Sequence, residues 1–371
     1  MHFAFSDEQL QLRRAVRGVL EVECTVRALR DLGGASREEQ ALQAAVRWRA
    51  LAALGLAGLL VPTAEGGLGL NTVDLMGIFE EAGWWALPEP LLESTGVAAP
   101  MLAALSPAQP AAGALHDLVA RDTPVALGGI DVGATGPTSP TTVSADGMLR
   151  TPRVAGARDA EVYVLACRDP DSGWQLHAVP ARACRVHPTA TLDRTRDLST
   201  VHWPLSADTL LAFGIAAEAS VGLMVDRAAT GSAAFLIGLG DRLVVLAADH
   251  ARERYRSGQG FGDLRAARYL LADAKVRLEL ARPAAYRAAW SLATAQPTAS
   301  RDASMAKAMA SDAAELAGRA ALQVFGAVGH TVQCDLHLFL RRTWALCGAW
   351  GDAVTHRQLL LAQTGRMTAR R

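Results

Sequence analysis

The chain has 371 residues, and its 37 Lys plus Arg balance 37 Asp plus Glu, so the formal net charge is zero. No global field then draws it to nucleic acid or to an anionic membrane surface, and neither is an expected partner. Half of the residues are apolar but only 5% are aromatic, so the core must be built mainly from Ala, Leu and Val, a composition that favours closely packed helices.

Residues 6 to about 118 read as helices joined by short loops. Ser6 with Gln9 three residues on forms a capping box, and Leu10, Val16 and Leu20 follow at roughly helical spacing. A second helix is expected around Gln40 to Gly58, ending in the turn from Val61 to Leu70. Asn71 and Thr72 offer a cap for a helix through Glu81.

From about Asp122 to Leu205 Gly, Pro, Thr and Ser punctuate short β-rich runs such as Glu161–Cys167 and Leu176–Val179. From Ala207 onward helical patterns return in long runs, notably Leu264 to Thr294, with a kink expected at Pro283, and Arg301 to Gln323. The expected division is a helical segment 1–118, a β segment 119–206 and a helical segment 207–371, mostly α with a central β domain.

The N-terminus has no basic region followed by an apolar run, so no secretion signal is expected. Glu218, Asp226, Arg227 and Asp241 interrupt the most apolar segment, Leu210 to His250, which speaks against a membrane span. Cys24, Cys167, Cys184, Cys334 and Cys347 lack CxxC spacing and read as reduced thiols, with neither disulfides nor a metal site expected. A cytoplasmic protein is the expectation.

Gln323-Val324-Phe325-Gly326-Ala327-Val328-Gly329-His330, followed by Asp335-Leu336-His337-Leu338-Phe339-Leu340-Arg341-Arg342, resembles the C-terminal signature of the acyl-CoA dehydrogenases. Phe5-Ser6-Asp7-Glu8-Gln9, the segment Leu54–Pro62 with Gly66-Gly67-Leu68-Gly69, and Glu80-Glu81-Ala82-Gly83 are similar to successive parts of the same family. The resemblance covers nearly the whole chain. It implies an N-terminal helical domain, a middle β-barrel or sandwich and a C-terminal four-helix bundle. It also implies FAD as cofactor, an acyl thioester of CoA or of an acyl-carrier protein as substrate, and an electron-transfer flavoprotein or similar acceptor.

Residue by residue, the resemblance assigns Arg254 to the flavin pyrophosphate, where a guanidinium gives charge-assisted, bidentate contacts, with Arg256 replacing a neighbouring polar residue and Ser257 a phenylalanine. Gln323, Gly326 and Gly329 match a loop that approaches the FAD of a neighbouring subunit, and Ala327 stands where the family has another glycine. His337 reads as a packing or hinge residue.

The chemistry needs a carboxylate to remove the α proton while hydride leaves to the flavin. The two places where the family carries that glutamate match Trp350 and Ala228. Asp352 and Asp226, two residues away from each, are the remaining candidates for a base, with Glu218 further off. The segments Gly128–Pro137 and Gly147–Arg153 also lack the family's motifs for the flavin ring. A chain that keeps Arg254, Gln323 and Gly326 but lacks base and ring motifs resembles the non-catalytic subunit of bacterial heterotetrameric, steroid side-chain type enzymes, which completes the FAD site of a homologous acyl-CoA dehydrogenase subunit. Two alternatives stand beside it: a self-sufficient flavoenzyme on an unusual thioester with a relocated base, and a flavin-free structural homologue.

Overall fold

The computed structural model describes residues 5–105, 109–256 and 264–368. Ser257 and Met1–Ala4 lie outside the described residues. Helices α1 (Asp7–Glu23), α2 (Val26–Gly34), α3 (Arg37–Ala52) and α4 (Thr72–Trp84) come first, then a π-helical stretch (Leu92–Ala98) running into α5 (Ala99–Ala104), and α6 (Gln109–Ala120). Ten strands follow: β1 (Val125–Gly128), β2 (Asp131–Gly133), β3 (Gly136–Thr138), β4 (Thr142–Val143), β5 (Leu149–Ala155), β6 (Val162–Asp169), β7 (Gly173–Pro180), β8 (Arg185–Pro188), β9 (Leu198–Trp203) and β10 (Leu210–Phe213). The chain closes with α7 (Gly214–Arg256), α8 (Leu264–Ala293), α9 (Ala299–Phe325), α10 (Leu336–Gly348) and α11 (Ala353–Thr368).

Local chemistry explains the helix starts. Ser6 and Gln9 form the full capping box, and Ser36 with Glu39 forms a second one before α3. The Asn71 side chain accepts the Val73 N–H at 2.8 Å, starting α4. Two sequence expectations shift. The second helix begins at Arg37 and stops at Ala52, because Gly55, at φ 78°, turns the chain. Helix α8 runs unbroken through Pro283, whose ring lies on the exposed side.

The residues group into two compact units: Met1–Asp31, Leu75–Leu87 and Ala229–Arg371 in the first, Leu32–Asp74 and Pro88–Ala228 in the second. In the first unit α9 packs along α8 and also meets α10 and α11. α4 and α7 cross so closely that a Cβ on Gly83 would collide with the Phe235 carbonyl, and one on Gly238 with the Glu80 carbonyl. The buried carboxylates of Glu80 and Glu81 meet Arg13 and Arg17 of α1, and Arg282 and Tyr286 of α8. Burial pushes the Glu81 carboxyl up, but the hydrogen bonds from Arg17 and Arg13 overcome this and lower its pKa.

In the second unit the main sheet runs in the order β10-β7-β6-β1-β5-β9-β8, with β4 on β5, and β2 and β3 form a separate hairpin. β1 and β6 are parallel, with Leu127 opposite Val164, and the other pairs are antiparallel. Tyr163, Val179, Val201 and Trp203 lie in the core on this sheet. The π-helical stretch is fastened to β1, where the Ser94 hydroxyl accepts the Val125 N–H at 3.0 Å. Arg47 and Glu89 form a buried ion pair at 2.6 Å. Helix α7 is long and apolar enough to cross a membrane by length and composition, yet 67% of its most apolar window is buried inside the fold.

Candidate functional site

Helix α9 ends at Phe325, and the next residue, Gly326, takes φ 64° and ψ −142°, a region open essentially to glycine alone. No atom lies within 4 Å of the place where its Cβ would stand. The glycine is thus required by the backbone path and not by crowding. A single 3-10 turn, Gly326–His330, follows. Gln323 and Ala327 are exposed, so the Ala327 methyl points to the surface. Gly329 is buried, and a Cβ there would lie 2.8 Å from the Phe325 Cβ. Gln323 and Gly326 therefore face outward, while Gly329 serves the packing of the turn.

The end of α7 meets this turn. His250 stacks on Phe325, with ring centroids 4.1 Å apart and planes 10° apart. Burial, and then the charge of Arg254, lowers the His250 pKa. Arg254 lies one helical turn beyond His250 on the same helix face, so the structure brings Arg254 and the Gln323 turn to one end of the bundle. Arg256 is exposed two residues further on. The His250–Phe325 stack was not foreseen from sequence; aromatic residues near two helix ends carry no signal of pairing.

The second loop, Ala349–Asp352, joins α10 to α11. Trp350 stands at φ 58° and Gly351 at φ 87°. A tryptophan in the left-handed region costs roughly 1–3 kcal/mol and persists only where its surroundings impose it. Three contacts do so. The His356 Nε2–H donates to the Trp350 carbonyl at 2.8 Å, from a ring only 1% exposed. Asp352 caps α11, its carboxylate accepting the Thr355 N–H at 2.7 Å. Fully buried Lys307 donates to the carbonyls of Leu346 and Cys347, at 3.1 and 2.9 Å, and to the Ser311 hydroxyl. These are the carbonyls that a helix C-terminus leaves without partners, and a cation suits that end.

The electrostatics match these roles. The backbone hydrogen bond from Thr355 lowers the Asp352 pKa first, so its carboxylate is a weaker base than an ordinary aspartate. Burial lowers Lys307 to about 8 and His356 to about 4. Lys307 is one of only two lysines in the chain. Nothing local in the sequence places this one under the loop.

In the second unit, Ala228 is fully buried, Asp226 is half-buried and Glu218 is exposed. Asp226 has its own partners in the fold. The adjacent Arg227 reaches the Thr72 hydroxyl at 3.3 Å, and burial lowers its pKa. In the segment expected near a flavin ring, Thr151 is completely buried and accepts the Trp203 indole N–H at 2.9 Å. Its hydroxyl is spent inside the sheet. The exposed Gln323 amide, the open Gly326 backbone and Arg254 at the same end fit the pyrophosphate side of an FAD; Thr151 does not fit the ring side.

Along the chain two helical blocks stand before and after a mixed sheet, with an arginine and a glycine turn at one bundle end. The acyl-CoA dehydrogenase N-terminal domain model matches residues 6–112 and the C-terminal domain model residues 216–360. The chain belongs to the acyl-CoA dehydrogenase family. It is 29% identical to the acyl-CoA dehydrogenase FadE34 of Mycobacterium tuberculosis over 354 residues, 94% of this chain but 47% of FadE34. The chain thus spans about half the length of that relative. It is 28% identical over 300 residues to the acyl-CoA dehydrogenase IpdE2 of the same organism, 80% of this chain and 79% of IpdE2. Among solved structures, a chain of the ChsE4–ChsE5 complex from Mycobacterium tuberculosis superposes with a TM-score of 0.80 at 21% identity over the whole of both chains.

Proposed function

We propose that this chain is the complementing subunit of an FAD-dependent acyl-CoA dehydrogenase, acting with a homologous catalytic subunit on an acyl thioester. The observation that carries this reading is the contrast at the Trp350 loop. The backbone is held in a defined left-handed shape, yet it presents an indole where the family has its base, and the nearest carboxylate is occupied in capping α11. A chain so built cannot remove the α proton by the family's route.

In this reading Arg254 would hold the pyrophosphate, and the Gln323 turn would approach an FAD shared with the partner subunit. Gly326 lets the backbone approach without a side chain between them. When bound, FAD supplies the hydride acceptor of the reaction. This chain's residues would bind and orient the cofactor and the partner would supply the base, with an electron-transfer flavoprotein or similar acceptor as the expected oxidant. The double length of FadE34 and the two differently named chains of ChsE4–ChsE5 support pairing with a homologue. The segments 1–118, 119–206 and 207–371 are the proposed domains, and steroid side-chain thioesters are the substrates to test first.

The test is the visible spectrum of the protein purified alone and co-expressed with the homologue expected from a neighbouring gene. Flavin absorbance only in the co-purified complex is the expected result. A yellow protein from this chain alone would overturn the complementing role.

A further inference from the structure

The second unit contains a cavity of about 640 Å³ between the α2–α3 turn and the β8–β9 loop. That lies within the size range of small-molecule sites. Four guanidinium groups line it, from Arg37 at the start of α3, Arg158 after β5, and Arg194 and Arg196 in the β8–β9 loop, against one carboxylate, Asp197. Their charges are unevenly spent. Arg196 donates to Glu93 at 2.8 Å. Arg158 donates to the Gln40 side-chain amide oxygen at 2.9 Å and faces Asp159 at 3.5 Å, its buried Nε making no hydrogen bond. Asp197 is committed as well, accepting the Arg158 backbone N–H at 3.0 Å. Arg37 and Arg194 have no acidic partner among the described residues.

The loop carrying Arg194 and Arg196 is shaped from within. Buried Asp193 accepts the Thr195 N–H at 3.0 Å and the Thr195 hydroxyl at 2.6 Å. Its own carbonyl accepts the Thr191 hydroxyl at 2.6 Å and the Arg196 N–H at 3.2 Å. The loop backbone is therefore set before a ligand arrives, and the exposed Arg194 side chain is what remains to be ordered. Ala157, Val186 and Leu198 add apolar lining. Two unspent guanidiniums beside an apolar wall match a phosphate carried on an uncharged body, since guanidinium binds phosphate oxygens bidentately.

We propose that this cavity binds a small organic phosphate ester, with Arg37 and Arg194 taking the phosphate and the Ala157, Val186 and Leu198 wall taking the body. The site is separate from the residues assigned to FAD and does not depend on the complementing role.

The test is calorimetric titration of the full chain, with its partner if that is how it is purified, using adenosine monophosphate, adenosine and inorganic phosphate. The monophosphate is expected to bind, adenosine not, and inorganic phosphate at least about tenfold more weakly. An R37A/R194A variant should lower the monophosphate affinity by roughly tenfold or more, as loss of charge-assisted bonds does. Both side chains are exposed, so the variant is expected to fold. An R254A variant should bind the monophosphate as the parent does. Absence of binding, binding unchanged in R37A/R194A, or inorganic phosphate binding as tightly as the monophosphate would overturn the proposal. Loss confined to R254A would overturn it too, by moving the ligand to the flavin-binding residues.

Discussion

The two loops of the C-terminal bundle have diverged in opposite ways. The Gly326–His330 turn keeps residues able to meet a ligand, with Gln323 and Gly326 turned outward. The Ala349–Asp352 loop keeps a constrained backbone, held by Lys307, His356 and the Asp352 cap, but displays Trp350. Loop shape here is maintained by buried partners and a helix cap, independently of the side chain at its tip. The residue at the tip is free to change because nothing in the supporting network depends on its side chain.

The comparison can be broken at its supports. The largest effect is expected for Lys307→Ala, which strips two buried carbonyls of their donor and leaves a void. It should destabilise the protein by about 3 kcal/mol in urea unfolding. A loss within about 0.5 kcal/mol would mean that the α10 end does not need the lysine. Acid should act on the same loop through His356. Its folded pKa of about 4 lies below the unfolded value near 6.5, so the stability tied to its neutral form is complete above pH 6.5 and is lost as pH falls through about 4. His356→Gln should flatten the stability profile across that window, leaving among others the similar contribution of His177, also lowered to about 4 by burial.

On the other loop, Gly326→Ala has open space and pays only for its backbone, so a loss of about 2 kcal/mol is expected by thermal unfolding. Arg254→Ala should leave stability nearly unchanged and weaken flavin retention in the complex by roughly tenfold; undiminished retention would remove Arg254 from the site. The smallest effect belongs to Asp352→Asn. Asparagine caps helices as well as aspartate, so steady-state turnover of the complex should be unaltered. A fall of roughly 10³-fold would instead make Asp352 the base.

The order of helices, sheet and helices was legible because it rests on local periodicity, and the Ser6–Gln9 capping box because its partners stand three residues apart. The glycine turn after Gln323 was legible too, since it follows from residue identity at the end of a helical run. Less could be read where partners are distant in sequence. The buried Glu80 and Glu81 network draws on three helices, and nothing local distinguishes these glutamates from exposed ones. The π-helical stretch at Leu92–Ala98 and the left-handed Trp350 contradict local preference and exist because tertiary neighbours impose them.

Residue types alone determined that this chain has the family's helices, its glycine turn and no glutamate at either position of the base; these follow from chemistry that travels with each side chain. Only the tertiary structure decided that His250, one turn before Arg254, stacks on Phe325 beside the Gln323 turn, that Asp352 is a helix cap, and that Thr151 is spent on Trp203. Those outcomes depend on which distant groups burial brings within hydrogen-bonding or stacking distance, and burial is a property of the whole fold.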